Sequence, residues 1–251
     1  MNRPCTIVIP CYNEESRFPL DRFAAFVAAH PSIHFLLVND GSTDNTIDVL
    51  RRASAGQEDQ VGVIDQPVNG GKGEAVRTGI LAALQREGCM YAGFWDADMA
   101  TPLELIGDLA EVLAIRPEVA MVFGARVKLL GRHVERRAIR HYLGRIFATV
   151  VSVALRLAIY DTQCGAKIFR VTSETGGLFA EPFCSRWVFD VEIIARFIRG
   201  RGYEMASVER AIYEFPLPEW RDVAGSRVRP KDFFRAFFDV LKIYSRYRQQ
   251  T

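Results

Sequence analysis

The sequence predicts an α/β fold with a mostly parallel central sheet and helices on both of its faces. Short apolar runs such as Cys5–Pro10 and Ile33–Val38 have the length of buried strands. Segments with helical spacing of apolar residues, such as Phe18–Ala29, alternate with these runs over about the first 125 residues. Polar or glycine-rich loops follow the runs, and strands that alternate with helices form parallel sheets.

The first half of the chain contains five such strands, separated by helices. The predicted strands are Cys5–Pro10, Ile33–Val38, Val61–Ile64, Tyr91–Trp95 and Val119–Phe123. Thr43 or Asp44 is a suitable cap for a helix that reaches about Ala53. A further helix is expected to end near Gln85. Thr101, Pro102 and Glu104 have the spacing of a capped helix start.

The alternation ends after about residue 125. A broad apolar face predicts a long helix over 137–160, and a loop and strand follow over 161–169. A helix is expected over 187–198, a strand over Met205–Ile212 and a loop over 216–230. An amphipathic helix over 232–247 completes the prediction.

Composition restricts the class of protein. The 251 residues are 49% hydrophobic and 25% charged with a net charge of +2, which is ordinary for a soluble globular protein. No nucleic-acid partner is predicted, because no nucleic-acid module is recognisable. The five cysteines form no C-x-x-C pair, which favours reduced core thiols in a cytoplasmic protein. No signal peptide or membrane-spanning run is expected.

Two aspartates end the fourth predicted strand. Asp96 and Asp98 follow the apolar run 90–95, and two carboxylates this close need a compensating partner. A divalent cation that also binds phosphate oxygens is one such partner, and a solvated turn is the simpler alternative.

Three other loops follow predicted strands. Glu14 and Asp40 could accept hydrogen bonds from a base or ribose, although caps and turns are ordinary roles for them. The loop that contains Lys72 supplies glycines and a cation, but it lacks the P-loop pattern. Because the carboxyl ends of parallel strands share one edge, these loops are expected to meet Asp96 and Asp98.

A basic segment opens the second half. Residues 126–145 contain seven Lys and Arg side chains and one acid, Glu135. Arginine holds phosphate in a bidentate fork, and basic groups beside an apolar helix suit an anionic lipid surface. A solvated helix face is the simpler interpretation. Cys164 lacks an obvious histidine partner, so a Cys–His mechanism is not favoured.

Taken together, these motifs resemble a family-2 glycosyltransferase with the Rossmann-like GT-A fold. The stretches VIPCYNEE, VNDGSTDNT, GGKGEAVRTG, DADMATP and GAR carry this resemblance in the first half. DTQCGAKIF and RWVFDVEII resemble the dolichyl-phosphate β-glucosyltransferase branch. The resemblance implies one continuous domain, with a nucleotide-sugar-binding half at 1–125 and an acceptor-binding half at 126–251.

The resemblance also implies an inverting transfer of a hexose from a nucleotide sugar to a polyprenyl or dolichyl phosphate, with UDP-glucose as the expected donor. Mg²⁺ or Mn²⁺ would be held by Asp96 and Asp98. Asp190 is the best candidate for a base, if one is needed. The other residues implied on the donor side are Pro10, Tyr12, Glu14, Val38, Asp40, Lys72 and Ala97. Those implied on the acceptor side are Arg126, Arg140, Asp161, Gln163, Trp187 and Glu192.

Two departures keep alternatives open. Mannosyltransferase relatives carry a metal-contacting Gln at the position where this chain has Ala100. The alanine mildly favours glucosyl transfer over mannosyl transfer from GDP-mannose. Many relatives also carry spanning helices. If the acceptor is a lipid, helix 137–160 and the terminal helix are expected to contact the inner face of the membrane peripherally. A soluble acceptor is the alternative. A nucleotide-sugar-binding protein without catalysis is the third alternative. The oligomeric state is not predicted.

Overall fold

The computed structural model describes residues 4–135, 138–221 and 230–248, without the side chains of 135, 138–141 and 230–234. The strands are β1 (Cys5–Cys11), β2 (Ile33–Asp40), β3 (Val61–Gln66), β4 (Tyr91–Trp95), β5 (Met121–Ala125), β6 (His133–Glu135), β7 (Ala166–Arg170), β8 (Ile212–Pro216) and β9 (Glu219–Arg221). The helices are α1 (Leu20–Ala29), α2 (Thr46–Ser54), α3 (Lys72–Leu84), α4 (Leu105–Ile115), α5 (Ala138–Leu155), α6 (Ser173–Ala180), α7 (Phe189–Gly200), α8 (Met205–Ala211) and α9 (Pro230–Tyr247).

Seven strands form one sheet in the order β3-β2-β1-β4-β7-β5-β8. All neighbouring pairs are parallel except those of β7, which runs antiparallel to both β4 and β5. The second half of the chain therefore contributes a strand to the middle of the sheet. The predicted α/β class with a mostly parallel sheet is confirmed.

Helices cover both faces of the sheet. Helices α1, α2 and α4 pack on one face around buried residues such as Phe23, Leu50 and Leu109. Helices α3, α5, α6, α7 and α9 contribute to the core on the other face. Helix α3 approaches the sheet closely at Gly79, where a Cβ atom would lie 2.3 Å from Val8 Cγ1.

One predicted helix start and one predicted strand differ from the structure. The segment from Thr101 to Glu104 is a turn, and α4 begins only at Leu105. The Thr101 carbonyl accepts a hydrogen bond from the Trp95 indole at 2.8 Å, which holds this turn against β4. The strand predicted over Met205–Ile212 is instead helix α8, and strand β8 begins at Ile212. Its buried residues, Val208 and Ala211, have helical spacing.

The long apolar helix is shorter than its sequence pattern. Helix α5 ends at Leu155, because Arg156 has a positive φ of 52° and the Leu157 N–H bonds to the Ser152 carbonyl. Helix α6 and the β6–β9 pair were not predicted. In the described part of the chain, every helix is too short or too polar to cross a bilayer.

Candidate active site

Asp40 organises the glycine loop beside it. This carboxylate at the end of β2 accepts hydrogen bonds from the N–H groups of Gly70 and Gly71 at 2.7 and 2.9 Å. It also accepts one from the Asn69 amide at 3.0 Å. Burial raises the pKa of Asp40, although the two glycine N–H groups act in the opposite direction. Two of the loop's backbone donors are therefore committed to Asp40.

Arg186 closes the same loop from the second half of the chain. Its Nε donates to the Gly70 carbonyl at 2.9 Å, and its Nη2 donates to the Asn69 carbonyl at 2.6 Å. Gly71 has a φ of 90°, a conformation that favours glycine. Lys72 follows directly as the first residue of α3, so its ammonium is the charged group that this loop presents.

Asp96 lies against two segments that are distant in sequence. Its carboxylate is 2.5 Å from Lys72 Nζ, and its N–H donates to the Gly165 carbonyl at 3.0 Å. A Cβ atom at Gly165 would lie 1.9 Å from Asp96 Oδ2. The glycine of the DTQCG stretch is therefore needed for the Asp96 carboxylate to occupy its position.

Asp98 contacts a different cation. Its Oδ2 lies 3.6 Å from Arg17 Nη2, and its Oδ1 accepts the Ala100 N–H at 3.1 Å. Burial and the charge of Asp96 raise the pKa of Asp98. Burial also acts to raise the pKa of Asp96, but Lys72 more than offsets it, so this pKa is lowered. The two carboxylates are thus close enough to influence each other's charge.

Most of the donor-side residues lie at or just after the carboxyl ends of β1 and β2, whereas Ala97 follows β4. Pro10 and Val38 are opposite each other in register, but the Val38 side chain is fully buried, so only its main chain could contact a nucleotide. The Glu14 N–H donates to Thr46 Oγ1 at 2.7 Å, which ties the loop after β1 to α2. Tyr12 is partly exposed, whereas Ala97 is buried.

Arg126 follows β5 and is held by Asp161. Its Nε and Nη2 donate to the two oxygens of that carboxylate at 2.6 and 2.8 Å. Burial acts to lower the pKa of Arg126, but the charge and hydrogen bonds of Asp161 outweigh burial, so the pKa is raised. Glu214 of β8 accepts the N–H groups of Tyr160 and Asp161 at 2.9 and 2.8 Å, which fixes the Asp161 turn.

Asp190 pairs with a buried lysine. It lies in the first turn of α7, and its Oδ1 is 2.6 Å from Lys167 Nζ. The same ammonium donates to the Cys164 carbonyl at 2.6 Å. The Lys167 side chain is 0% exposed and lies between the rings of Phe94 and Phe123. Lys167 therefore joins α7 to the segment that carries Gly165.

The remaining acceptor-side predictions have different outcomes. Glu192 was expected to line the site, but it is fully buried and pairs with Arg196 at 2.9 Å, so its role is structural. Trp187 is exposed beside α7, and Gln163 is half-buried. The side chain of Arg140 lies outside the described residues. Burial raises the pKa of the Cys164 thiol to about 11, which disfavours a thiolate nucleophile.

Four residues of this edge escaped the sequence-based prediction: Arg17, Gly165, Lys167 and Arg186. The glycine of DTQCG and the lysine inside an apolar strand are unusual enough to attract attention. No local pattern marks Arg17 or Arg186, since their partners are distant in sequence.

The carboxylate pair fits a divalent cation that arrives with phosphate. Among the described residues, no group of three or more His, Cys, Asp or Glu side chains could hold a metal alone. Asp96 and Asp98 supply two hard oxygen ligands, and Mg²⁺ is typically held by one or two carboxylates with phosphate and water. These two residues suit a metal shared with a diphosphate.

Solved structures share this fold. One is glucosyl-3-phosphoglycerate synthase from Mycobacterium tuberculosis in complex with Mn²⁺, uridine diphosphate and glucosyl-3-phosphoglycerate, with a TM-score of 0.70 and 18% identity. The alignment covers 97% of this chain and 80% of that one. At this identity the similarity establishes the fold alone, and it confirms the GT-A architecture.

Curated relatives are more similar in sequence. Dolichyl-phosphate beta-glucosyltransferase ALG5C of Trichomonas vaginalis is 32% identical, over 95% of this chain and 70% of its own length. The dolichyl-phosphate beta-glucosyltransferase of Homo sapiens is 31% identical, over 90% of this chain and 69% of its own. The family model for glycosyl transferase family 2 matches residues 6–175. With the fold and the branch resemblance both confirmed, this chain belongs to glycosyl transferase family 2.

Proposed function

We propose that the chain transfers a hexose, with glucose as the expected sugar and UDP-glucose as the expected donor, to a polyprenyl or dolichyl phosphate with inversion. The observation that carries this proposal is the electrostatic coupling of five charged side chains. Lys72 pairs with Asp96 at 2.5 Å and interacts with Asp98 and Asp190, and Arg126 interacts with Asp96. The names of the curated relatives support the same sugar and the same class of acceptor.

The first 125 residues form the donor half in this proposal. Pro10, Tyr12, Glu14 and Asp40 would surround the base and ribose, and Lys72 would face the diphosphate. Asp96 and Asp98 would hold Mg²⁺ or Mn²⁺, which supplies charge stabilisation for the departing nucleoside diphosphate. Manganese bound with uridine diphosphate in the structural neighbour supports a metal of this type.

The second half would bind the acceptor. Arg126, fixed by Asp161, would hold the acceptor phosphate with Arg140. A phosphate oxygen forms the new bond to the anomeric carbon while the bond from that carbon to the diphosphate breaks. The attacking oxygen is already an anion, so no proton needs to be removed. Asp190, paired with Lys167, would then contact substrate as a fixed acceptor of hydrogen bonds.

Replacing Asp98 with alanine tests the metal role. We expect transfer from labelled UDP-glucose to polyprenyl phosphate with Mg²⁺ to fall by about 100-fold or more, because diphosphate charge loses its counter-ion. The readout is an acid-labile labelled lipid. Asp108→Ala, at an exposed position of α4, is the matched control and should retain activity. Unchanged turnover in Asp98→Ala would contradict the proposal.

A soluble phosphorylated acceptor is the second candidate. The structural neighbour has been crystallised with phosphoglyceric acid, so the same fold accommodates a small phosphate-bearing ligand. Both candidates require an arginine-held phosphate. A lipid acceptor additionally requires contact with a membrane.

Helices α5 and α9 offer a surface for that contact. They pack together through Phe147 and Phe237, whose ring centroids are 6.0 Å apart. Both helices expose large apolar side chains: Tyr142, Ile146 and Val153 on α5, and Phe238, Leu241 and Tyr244 on α9. Exposed basic residues accompany them on α9, including Lys242. Apolar and basic groups together favour anionic lipid.

Vesicle flotation tests this surface. We expect the wild-type chain to float with vesicles of phosphatidylglycerol and phosphatidylcholine. An Ile146→Glu, Leu241→Glu double variant should bind roughly tenfold more weakly or worse, because two apolar side chains no longer enter the lipid. Ile115→Glu, at an exposed apolar position of α4, is the control. Equal flotation of the double variant and the control would contradict the membrane contact and favour a soluble acceptor.

A further inference from the structure

Each carboxylate of the proposed metal site contacts a cation from a different part of the chain. Lys72 Nζ lies 2.5 Å from Asp96 Oδ1, and Arg17 Nη2 lies 3.6 Å from Asp98 Oδ2. Lys72 begins α3, whereas Arg17 belongs to the loop between β1 and α1. All four side chains are partly exposed, with fractions between 22% and 38%, so water can replace either contact.

The charges of these four side chains cancel. A divalent cation between Asp96 and Asp98 would leave an excess of two positive charges. The diphosphate of a nucleotide sugar carries one negative charge on each phosphate and would cancel that excess. UDP, whose free terminal phosphate carries up to about one further negative charge, acts in the same direction. The sum of the charges is therefore the same when the site holds neither ligand and when it holds both. Either ligand alone leaves uncompensated charge, which is unfavourable in a partly desolvated cleft.

We propose that Lys72 and Arg17 are exchange cations, which neutralise Asp96 and Asp98 in the empty site and turn to the diphosphate when a metal takes the carboxylates. This inference rests on the metal site of the proposed function. Its consequence is that metal and nucleotide bind cooperatively, since each relieves the charge imbalance that the other creates.

The surroundings of each cation support the exchange. Gly70 and Gly71 give their N–H groups to Asp40, so Lys72 is the group with which this loop can meet a phosphate. Arg17 Nη1 also lies 3.5 Å from Glu14 Oε1, a contact that it can keep while Nη2 turns from Asp98 to the diphosphate.

Manganese titration tests the exchange without any transfer assay. Free Mn²⁺ is measured by its electron paramagnetic resonance signal, with and without UDP, for wild type, Lys72→Met and Arg17→Met. In Lys72→Met we expect Mn²⁺ alone to bind about tenfold tighter, because no ammonium competes for Asp96. UDP should then increase Mn²⁺ affinity much less than in wild type. Arg17→Met should change both quantities in the same direction by a smaller factor.

Arg22→Met is the control for the loss of a cation elsewhere on the surface. It removes an exposed ion pair with Glu104, 3.3 Å long and outside the site, and should leave Mn²⁺ binding unchanged. Lys72→Gln serves as a second variant if Lys72→Met does not fold. Wild-type Mn²⁺ affinity in a folded Lys72 variant would overturn the exchange. A wild-type chain that binds no Mn²⁺, even with UDP, would instead contradict the metal site and the proposed function.

Discussion

Replacing Gly165 with alanine is expected to abolish the response of the chain to Mn²⁺ and UDP. The new methyl group would lie 1.9 Å from Asp96 Oδ2 and 2.1 Å from Asp96 Cγ, so the carboxylate must turn away. Asp96 would then lose both its contact with Lys72 and its place as a metal ligand. We expect transfer activity to fall by about 100-fold or more, as when an electrostatic stabiliser is removed.

Thermal shift and activity measurements together check this expectation. The thermal midpoint should rise with Mn²⁺ and UDP in wild type, because ligands that bind only the folded state stabilise it. It should not rise in Gly165→Ala. Gly177→Ala is the matched control, because a Cβ atom at Gly177 in α6 meets no atom within 4 Å. This control should keep its activity and gain about 0.5–1 kcal/mol of stability, as helical glycines do on replacement. A normal Mn²⁺ response in Gly165→Ala would show that Asp96 is not a metal ligand.

Replacing Lys167 with methionine is expected to lower the free energy of unfolding by about 3–5 kcal/mol. The variant leaves Asp190, whose side chain is 6% exposed, as a buried charge without its 2.6 Å partner. The cost comes from the desolvated carboxylate that remains, rather than from lost packing, because methionine fills a similar volume between Phe94 and Phe123. Urea denaturation at neutral pH measures this loss.

The double variant Lys167→Met, Asp190→Leu separates the cost of the unpaired carboxylate from the cost of lost packing. Removing both charges should restore most of the stability, because apolar replacements of a buried ion pair are often neutral or stabilising. Arg51→Met is the control for an ordinary pair. It removes a contact of 3.4 Å with Asp48 in which both side chains are 63% exposed, and it should cost at most about 1 kcal/mol. A Lys167→Met chain as stable as wild type would contradict the importance of the buried pair.

Prediction from sequence succeeded where a local pattern has one structural solution. Short apolar runs separated by helical patterns indicated the parallel sheet, and the polar loops after β1, β2 and β4 were assigned correctly to one edge. The predicted boundaries of helices and strands were wrong where tertiary contacts compete with local sequence signals. Thr101 and Pro102 resemble a helix start, but the Trp95 indole holds the Thr101 carbonyl in a turn. Met205–Ala211 was predicted as part of a strand, but its composition is rich in helix formers and it buries Val208 and Ala211 as a helix.

The sequence by itself determined the fold class, the family and the two aspartates at the end of β4, because each depends on residues that are adjacent or regularly spaced. The tertiary structure decided which cation meets which carboxylate. Lys72 reaches Asp96, Arg17 reaches Asp98 and Lys167 reaches Asp190 across separations that no sequence period encodes. The tertiary structure also showed that Glu192 lies in a buried pair with Arg196 and not in the predicted site. Charge pairing acts through space, so its partners are known only once the strands and helices have been packed.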